Sequence, residues 1–96
     1  MNRYLLLHYG FEKPTPEIMD AWTKWFESVA DVAEEHGGFH SGGREITHDG
    51  TNDLPFAADS ITGYSIIKAE NLDAAEEIAG RNPFIASIRV YEISQQ

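Results

Sequence analysis

Apolar residues along the chain follow two different periods, and the change from one to the other predicts the order of the elements. Residues 3–9, RYLLLHY, form a short apolar and aromatic run, which is typical of a strand covered on both faces. From Pro16 onward, apolar residues recur at helical spacing for about five turns. Thr15 is the expected N-cap of this helix, and Gly37 is the expected left-handed residue that ends it near His36.

The middle of the chain is rich in glycine and in turn residues. Residues 38–47, GFHSGGREIT, are predicted to form a strand, in which Gly42-Gly43 marks either a bulge or a close backbone approach. The polar segment 47–60 contains the tight-turn signal Asp49-Gly50 and predicts a protruding loop or hairpin arm. The remaining predicted elements are a strand at 61–69, a helix between Asn71 and Gly80, and a strand at 86–94.

This order of elements, β-α-β-β-α-β, is that of the ferredoxin-like α+β fold. It predicts one domain over residues 1–96, with a four-stranded antiparallel sheet and two helices on one face. The strands carry apolar residues on both faces, so the second face would be an exposed hydrophobic patch. A second copy of the chain, packed sheet against sheet in a symmetric homodimer, would cover it.

The composition excludes several classes of partner. The formal net charge is −9, from 7 Lys and Arg against 16 Asp and Glu, which argues against nucleic acid and against an anionic membrane surface. There are no cysteines, so disulfides, thiolate zinc sites and thiol nucleophiles are excluded. No apolar stretch approaches the length of a membrane span or a secretory signal, and a cytoplasmic location is the default expectation.

Six segments stand in a fixed order over essentially the whole chain: YLLLHYG, TPEIMDAWTKWFESV, GGFHSGGREI, LPFAADS, GYSIIKAENLDAAEEIA and NPF. In this order and spacing they resemble the YCII-related domain family, in particular the branch named for a DGPF motif. The resemblance implies a dimeric α+β barrel. In the other branch, a His on the first helix and an Asp in an Asp-Pro-aromatic motif are the suspected acid–base pair. Phe26 and Asn82 occupy those positions here, so that pair is not carried over, and Leu54 replaces the Gly of the naming motif.

The candidate site residues are those that the predicted fold brings to a cleft between the first helix and the sheet. His8 and His40 lie on predicted strands and are the candidate bases, since a buried His has an easily shifted pKa. Arg44 is the candidate anion clamp. The candidate ligand-binding residues are Met19, Trp22, Ser41, Arg44 and Phe56. His36 and His40 are separated by a helix-breaking glycine pair, and neither a metal site nor a cofactor is predicted.

Two hypotheses about function follow. The first is a small-molecule-binding protein that could act as a cofactor-free enzyme, with His8 or His40 as the base. The second is a non-catalytic dimeric interaction or regulatory module, whose contact surface would be segment 47–60 with Phe56 at its tip. Perturbed histidine pKa values in a cleft would favour the first.

Overall fold

In the computed structural model, which describes residues 1–39 and 42–94, two helices lie on one face of an antiparallel sheet. Each helix begins at the cap residue that the sequence indicates. Thr15 Oγ1 accepts a hydrogen bond from the Ile18 amide, and Asn71 Oδ1 accepts one from the Ala74 amide. The elements are β1 Asn2–Tyr9, α1 Pro16–Ser28, β2 Ala33–Gly38, β3 Gly43–Thr47, β4 Gly50–Leu54, β5 Ile61–Ala69, α2 Leu72–Gly80 and β6 Ser87–Glu92.

The main sheet of the described residues has four strands in the order β2-β5-β1-β6, and every neighbouring pair is antiparallel. Strands β3 and β4 form a separate two-stranded hairpin. Leaving this hairpin aside, the order of strands and helices is the predicted β-α-β-β-α-β. The ferredoxin-like α+β fold class is therefore confirmed.

The core lies between the helices and the sheet, and alternation along β1 decides which side chains enter it. Tyr4, Leu6 and His8 are buried, whereas the residues between them are only half-buried and lie on the outer face. The same alternation along β5 buries Ser65 and Ile67. The buried hydrophobic residues are Tyr4, Leu6, Trp25, Val29, Ile67, Ala69, Ala75 and Ala79.

The predicted length of the first helix is wrong. The helix ends at Ser28, and residues 33–36, which were expected in its last turns, belong to the edge strand β2. Pairing with β5 satisfies the backbone of this segment, and that long-range gain overrides the helical preference of its Ala and Glu residues. Gly37 is consequently not a left-handed cap, and His36 lies in a strand and not at a helix end.

The prediction of one strand over 38–47 is also wrong, because β2 ends at Gly38 and β3 begins at Gly43. His40 and Ser41 lie outside the described residues. Of the two interpretations of Gly42-Gly43, the close approach is correct: a Cβ on Gly42 would overlap the Leu54 backbone. Strands β3 and β4 form a hairpin over residues 43–54, called here the arm. A hairpin with its turn at Asp49-Gly50 is present as predicted, but it begins and ends earlier than the predicted segment 47–60.

Candidate functional site

A cleft of about 600 Å³ opens between α1 and the sheet. Its floor is formed by the part of β5 at Gly63, which has no side chain and lies opposite His8 on β1. One wall is the exposed side of α1, and the other comes from the segment that follows β1. The apolar side chains that line the cleft are Phe11, Pro14, Ile18, Met19, Trp22, Phe26 and Ile85. A mostly apolar cleft of this size is typical of a small-molecule site.

Two histidines and one serine are joined by hydrogen bonds at the inner end of the cleft. Ser65 Oγ lies 3.3 Å from His8 Nε2 and 2.8 Å from His36 Nδ1. The strand order explains the arrangement, since β5 lies between β1 and β2 and each histidine reaches across to it. His36 is directly opposite Ser65 in the β2–β5 ladder. His8 lies on β1, on the other side of β5, and is the diagonal neighbour of Ser65.

Aromatic side chains from α1 hold the two imidazole rings. Trp22 and Trp25 contact His8 edge to face, with ring centroids 5.1 and 6.2 Å away. Phe26 contacts His36 at 4.5 Å. Residues 22, 25 and 26 share one helix face, so a single turn of α1 fixes the orientation of both histidines.

Burial keeps His8 neutral near pH 7, and partial removal from water favours the neutral form of His36 as well. Removal of the ring from water lowers the pKa of His8 to about 4; Asn82 opposes this shift, and the nearby charge of His36 adds to it. Burial also lowers the pKa of His36 below its ordinary value. Because a serine hydroxyl has only one hydrogen, it can donate to only one of the two rings, so at least one neutral ring must donate to Ser65. The three side chains can therefore move or orient a proton.

The charged residues around the cleft are few. Glu12 is the only charged residue among the described residues that line it, and neither Lys nor Arg contributes. Among the described residues, no group of three His, Asp or Glu side chains is placed to hold a metal ion. The lining therefore favours a neutral or weakly acidic molecule over a phosphorylated one.

Some of the candidate residues line the helix–sheet cleft and others do not. His8, Met19 and Trp22 line the cleft as expected. Arg44 does not: it lies on β3, pairs with Asp53 at 3.3 Å, and lines a separate groove at the base of the arm. Its expected place beside the helix–sheet cleft is therefore wrong.

Phe56 is not at the tip of the arm. It follows β4 at the base, is half-buried, and packs against Phe11 with ring centroids 4.9 Å apart. Phe11 itself lines the cleft. Phe56 therefore lies behind a cleft wall, and the expectation of an exposed contact residue at the tip is wrong.

Three residues of the site were missed by the sequence analysis. Ser65 stands in an apolar strand, and its alternation with Ile67 was the available signal for a buried hydroxyl. His36 was assigned to a helix end because α1 was predicted too long. Asn82, which contacts His8, was considered only as a departure from the resembling family.

The fold and the site together define a ferredoxin-like α+β domain with a histidine-containing cleft between its first helix and its sheet. The model of the YCII-related domain family matches residues 3–95, and the chain belongs to that family. The comparison with curated proteins finds no match.

Solved structures show a similar fold. The dehydrochlorinase TftG of Burkholderia phenoliruptrix AC1100, which acts on 5-chloro-2-hydroxyhydroquinone, is 14% identical in sequence and aligns with a TM-score of 0.62. The alignment covers 98% of this chain and 95% of the other, and that structure contains 2,5-dihydroxybenzoquinone. TftG belongs to the dimeric α+β barrel superfamily. GlnK of B. subtilis is 15% identical with a TM-score of 0.45, over 98% of this chain and 87% of the other.

Neither helix in the described part of the chain has the length and apolarity needed to cross a membrane.

Proposed function

We propose that the protein binds a small, flat, largely apolar molecule with at least one hydroxyl group in the helix–sheet cleft, and that His36 exchanges a proton with it. The observation that carries this proposal is the His8–Ser65–His36 hydrogen-bond chain at the inner end of an aromatic-walled cleft. A buried imidazole joined through a buried hydroxyl to a second, more exposed imidazole in a cleft is typical of functional sites.

The aromatic wall supports a flat ligand. Trp22 and Phe26 lie on the same face of α1, 5.7 Å apart and tilted by 37°. A planar ring can pack against such a wall while the glycine-lined floor leaves room beneath it. The apolar lining supplies most of the binding energy, and the few polar groups fix the orientation.

His36 is the better candidate for contact with the ligand. Its Nδ1 is taken by Ser65, which leaves Nε2 for a hydroxyl group of the molecule in the cleft. His8 is only 5% exposed and has its Nε2 against Ser65, so it would act through the chain. In this proposal His36 is the residue that exchanges a proton with the ligand. His8, the candidate base of the sequence analysis, acts only indirectly, through Ser65.

A hydroxylated quinone is a suitable first probe. The similarity to TftG establishes the fold alone, but the 2,5-dihydroxybenzoquinone in that structure is flat, hydroxylated and small enough for this cleft. Isothermal titration calorimetry of the purified protein with 2,5-dihydroxybenzoquinone would measure its affinity.

The affinity test compares cleft variants with an exposed control. We expect His36→Gln and Trp22→Leu each to weaken binding by roughly fivefold, the effect of losing one hydrogen bond or one aromatic contact. Leu72→Ala, at an exposed position on α2, should leave the affinity unchanged. Equal affinity for wild type, His36→Gln and Trp22→Leu would refute the placement of the ligand in this cleft.

We also propose that the functional unit is a homodimer formed through the outer face of the sheet. Leu5, Leu7 and Ile66 lie on this face and are only half-buried in the single chain. It also carries Arg3, Lys68 and Arg89, three of the seven basic residues, although the chain is strongly acidic. A second copy would bury the apolar centre and would meet less negative charge here than on the rest of the surface.

A further inference from the structure

In the described part of the chain, His8 and Asn82 carry three buried polar atoms that lack hydrogen-bond partners. Among the described residues, His8 Nδ1 and both amide atoms of Asn82 have no hydrogen bond of standard geometry. Asn82 is 4% exposed and His8 is 5% exposed, so water cannot easily satisfy these atoms. Buried polar atoms without partners are costly, and such a cluster requires an explanation.

The Asn82 side chain is close enough to His8 to act on it. It raises the pKa of His8 against the larger effect of burial, although its amide atoms do not meet the geometry of a hydrogen bond. A neighbour raises an imidazole pKa when it accepts a hydrogen bond from the protonated ring. The amide oxygen is the atom of Asn82 that can do this. Because Ser65 lies against Nε2, the nitrogen left for Asn82 is Nδ1.

The orientation of the Asn82 amide influences which ring nitrogen carries the proton in His8 and, through Ser65, in His36. If its oxygen accepts the Nδ1 proton of His8, then His8 Nε2 is bare and accepts the Ser65 hydroxyl hydrogen. Ser65 Oγ then accepts the Nδ1 proton of His36, and His36 Nε2 is a bare base. If the amide NH₂ faced His8 instead, His8 Nε2 would donate to Ser65, and the hydroxyl hydrogen of Ser65 would be free for His36 Nδ1, which favours a proton on His36 Nε2.

We propose that Asn82 is a positioning residue that turns its amide oxygen to His8 Nδ1 and thereby sets His36 as the base of the cleft. The inference rests on the proposed function, since it assigns the direction in which His36 exchanges its proton. The base accepts a proton from a hydroxyl group of the bound molecule at Nε2, and that molecule keeps the electron pair as an oxyanion. The positive charge stays on His36, because the more deeply buried His8 resists protonation.

The test is to assign the histidine tautomers by long-range ¹H–¹⁵N NMR on the ligand-free protein at pH 7 with ¹⁵N-labelled histidine. We expect the wild-type protein to carry its proton on Nδ1 in both His8 and His36. In Asn82→Leu, His8 loses the acceptor for its Nδ1 proton and can satisfy that proton only by moving it to Nε2, against Ser65. We therefore expect both rings to change to the Nε2–H tautomer together.

Further variants separate positioning from a purely structural role. Asn82→Asp offers only acceptor oxygens, so it should keep the wild-type tautomers and raise the pKa of His8. When Ser65 is first replaced by Ala, the further substitution Asn82→Leu should leave the His36 tautomer unchanged. Asn52→Leu, on the exposed strand β4, is the matched control and should change neither ring.

Several outcomes would overturn the proposal. A proton on Nε2 of His8 or of His36 in the wild-type protein would do so even if Asn82→Leu failed to fold. Unchanged tautomers in a folded Asn82→Leu, or reversed tautomers in Asn82→Asp, would do so as well. Because these measurements use no ligand, they can succeed when 2,5-dihydroxybenzoquinone does not bind, and they can fail when it does.

Discussion

At the scale of the residue, the hydroxyl of Ser65 is the group on which the candidate site depends. It is 1% exposed and lies between two imidazoles on the neighbouring strands. Without it, His8 Nε2 and His36 Nδ1 would lose their common partner, and the buried His8 atom left unsatisfied would cost about 1–3 kcal/mol. The site therefore depends on a residue with no charge and no conspicuous motif.

His8 makes the stability of the protein depend on pH. Its pKa is lowered by burial to about 4 in the folded chain and returns to 6.5 when the chain unfolds. Between these values the unfolded state binds more protons, so the free energy of unfolding falls as the pH decreases. The loss from pH 7 to pH 5 should be up to about 2 kcal/mol.

Urea unfolding of wild type and His8→Gln at pH 5, 6 and 7 measures this contribution. His36, the titratable group facing His8 from β2, has a lowered pKa and adds to the dependence in the same direction. The difference between the two proteins isolates His8 from His36 and from the carboxylates. Parallel curves for the two proteins would show that His8 is not buried as described.

At the scale of the element, α1 and the arm serve different purposes. One face of α1 closes the core through Trp25, whose indole N–H donates to the Ile78 carbonyl at 3.2 Å, and the same helix presents Trp22 to the cleft. The arm takes no part in this packing, because every residue of β3 and β4 is exposed. Ile46, at 80% exposure, is the most exposed large hydrophobic residue of the described chain.

Shortening the arm should therefore leave the domain and its cleft intact. In the variant, residues 44–53 are replaced by Asn-Gly, which joins the paired residues Gly43 and Leu54 through a two-residue turn. We expect the melting temperature and the affinity for 2,5-dihydroxybenzoquinone to match those of Ile46→Ser on the intact arm. A loss of ligand binding in the shortened variant alone would assign the arm to the site.

The elements show where sequence reasoning succeeds and where it fails. The strand at 61–69, the caps Thr15 and Asn71 and the helix end at Gly80 were predicted correctly, since each has a local signal. The segment AEEH was assigned to a helix because its strand form depends on pairing with β5, which is distant in sequence.

The same limit applies to the candidate site. Trp22 and His8 could be found from periodicity and from residue type. The His8–Ser65–His36 chain could not, because it depends on the order of three strands and on the correct end of α1.

At the scale of the whole molecule, the two faces of the sheet differ in what they present. The helix-covered face holds the core and the cleft, while the outer face presents aliphatic residues framed by Tyr9, Tyr64 and Tyr91. Arg89 lies over the Tyr9 ring at 4.6 Å and restrains the edge of this face. A second copy on the outer face would leave the cleft of each subunit accessible.

If the outer face forms a homodimer, a substitution on that face should halve the molecular mass in solution. Light scattering with size exclusion should give twice 10.8 kDa for the wild-type protein and 10.8 kDa for Leu7→Glu, which places a carboxylate at the centre of the outer face. Leu72→Glu, on an exposed position of α2, should remain dimeric. Since each chain has a net charge of −9, added salt should strengthen association. A monomer in wild type at high salt would refute the proposed dimer.

The central claim is that the cleft binds a flat hydroxylated molecule against His36, and mapping of NMR chemical shifts tests it most directly. Labelled protein would be titrated with 2,5-dihydroxybenzoquinone, hydroquinone, catechol and 4-hydroxybenzoate at millimolar concentration. We expect saturable shifts at the Trp22 indole, the His36 ring and the amides of Gly63 and Ser65, and small shifts on the arm. A folded protein whose cleft resonances remain unchanged with all four molecules would contradict it.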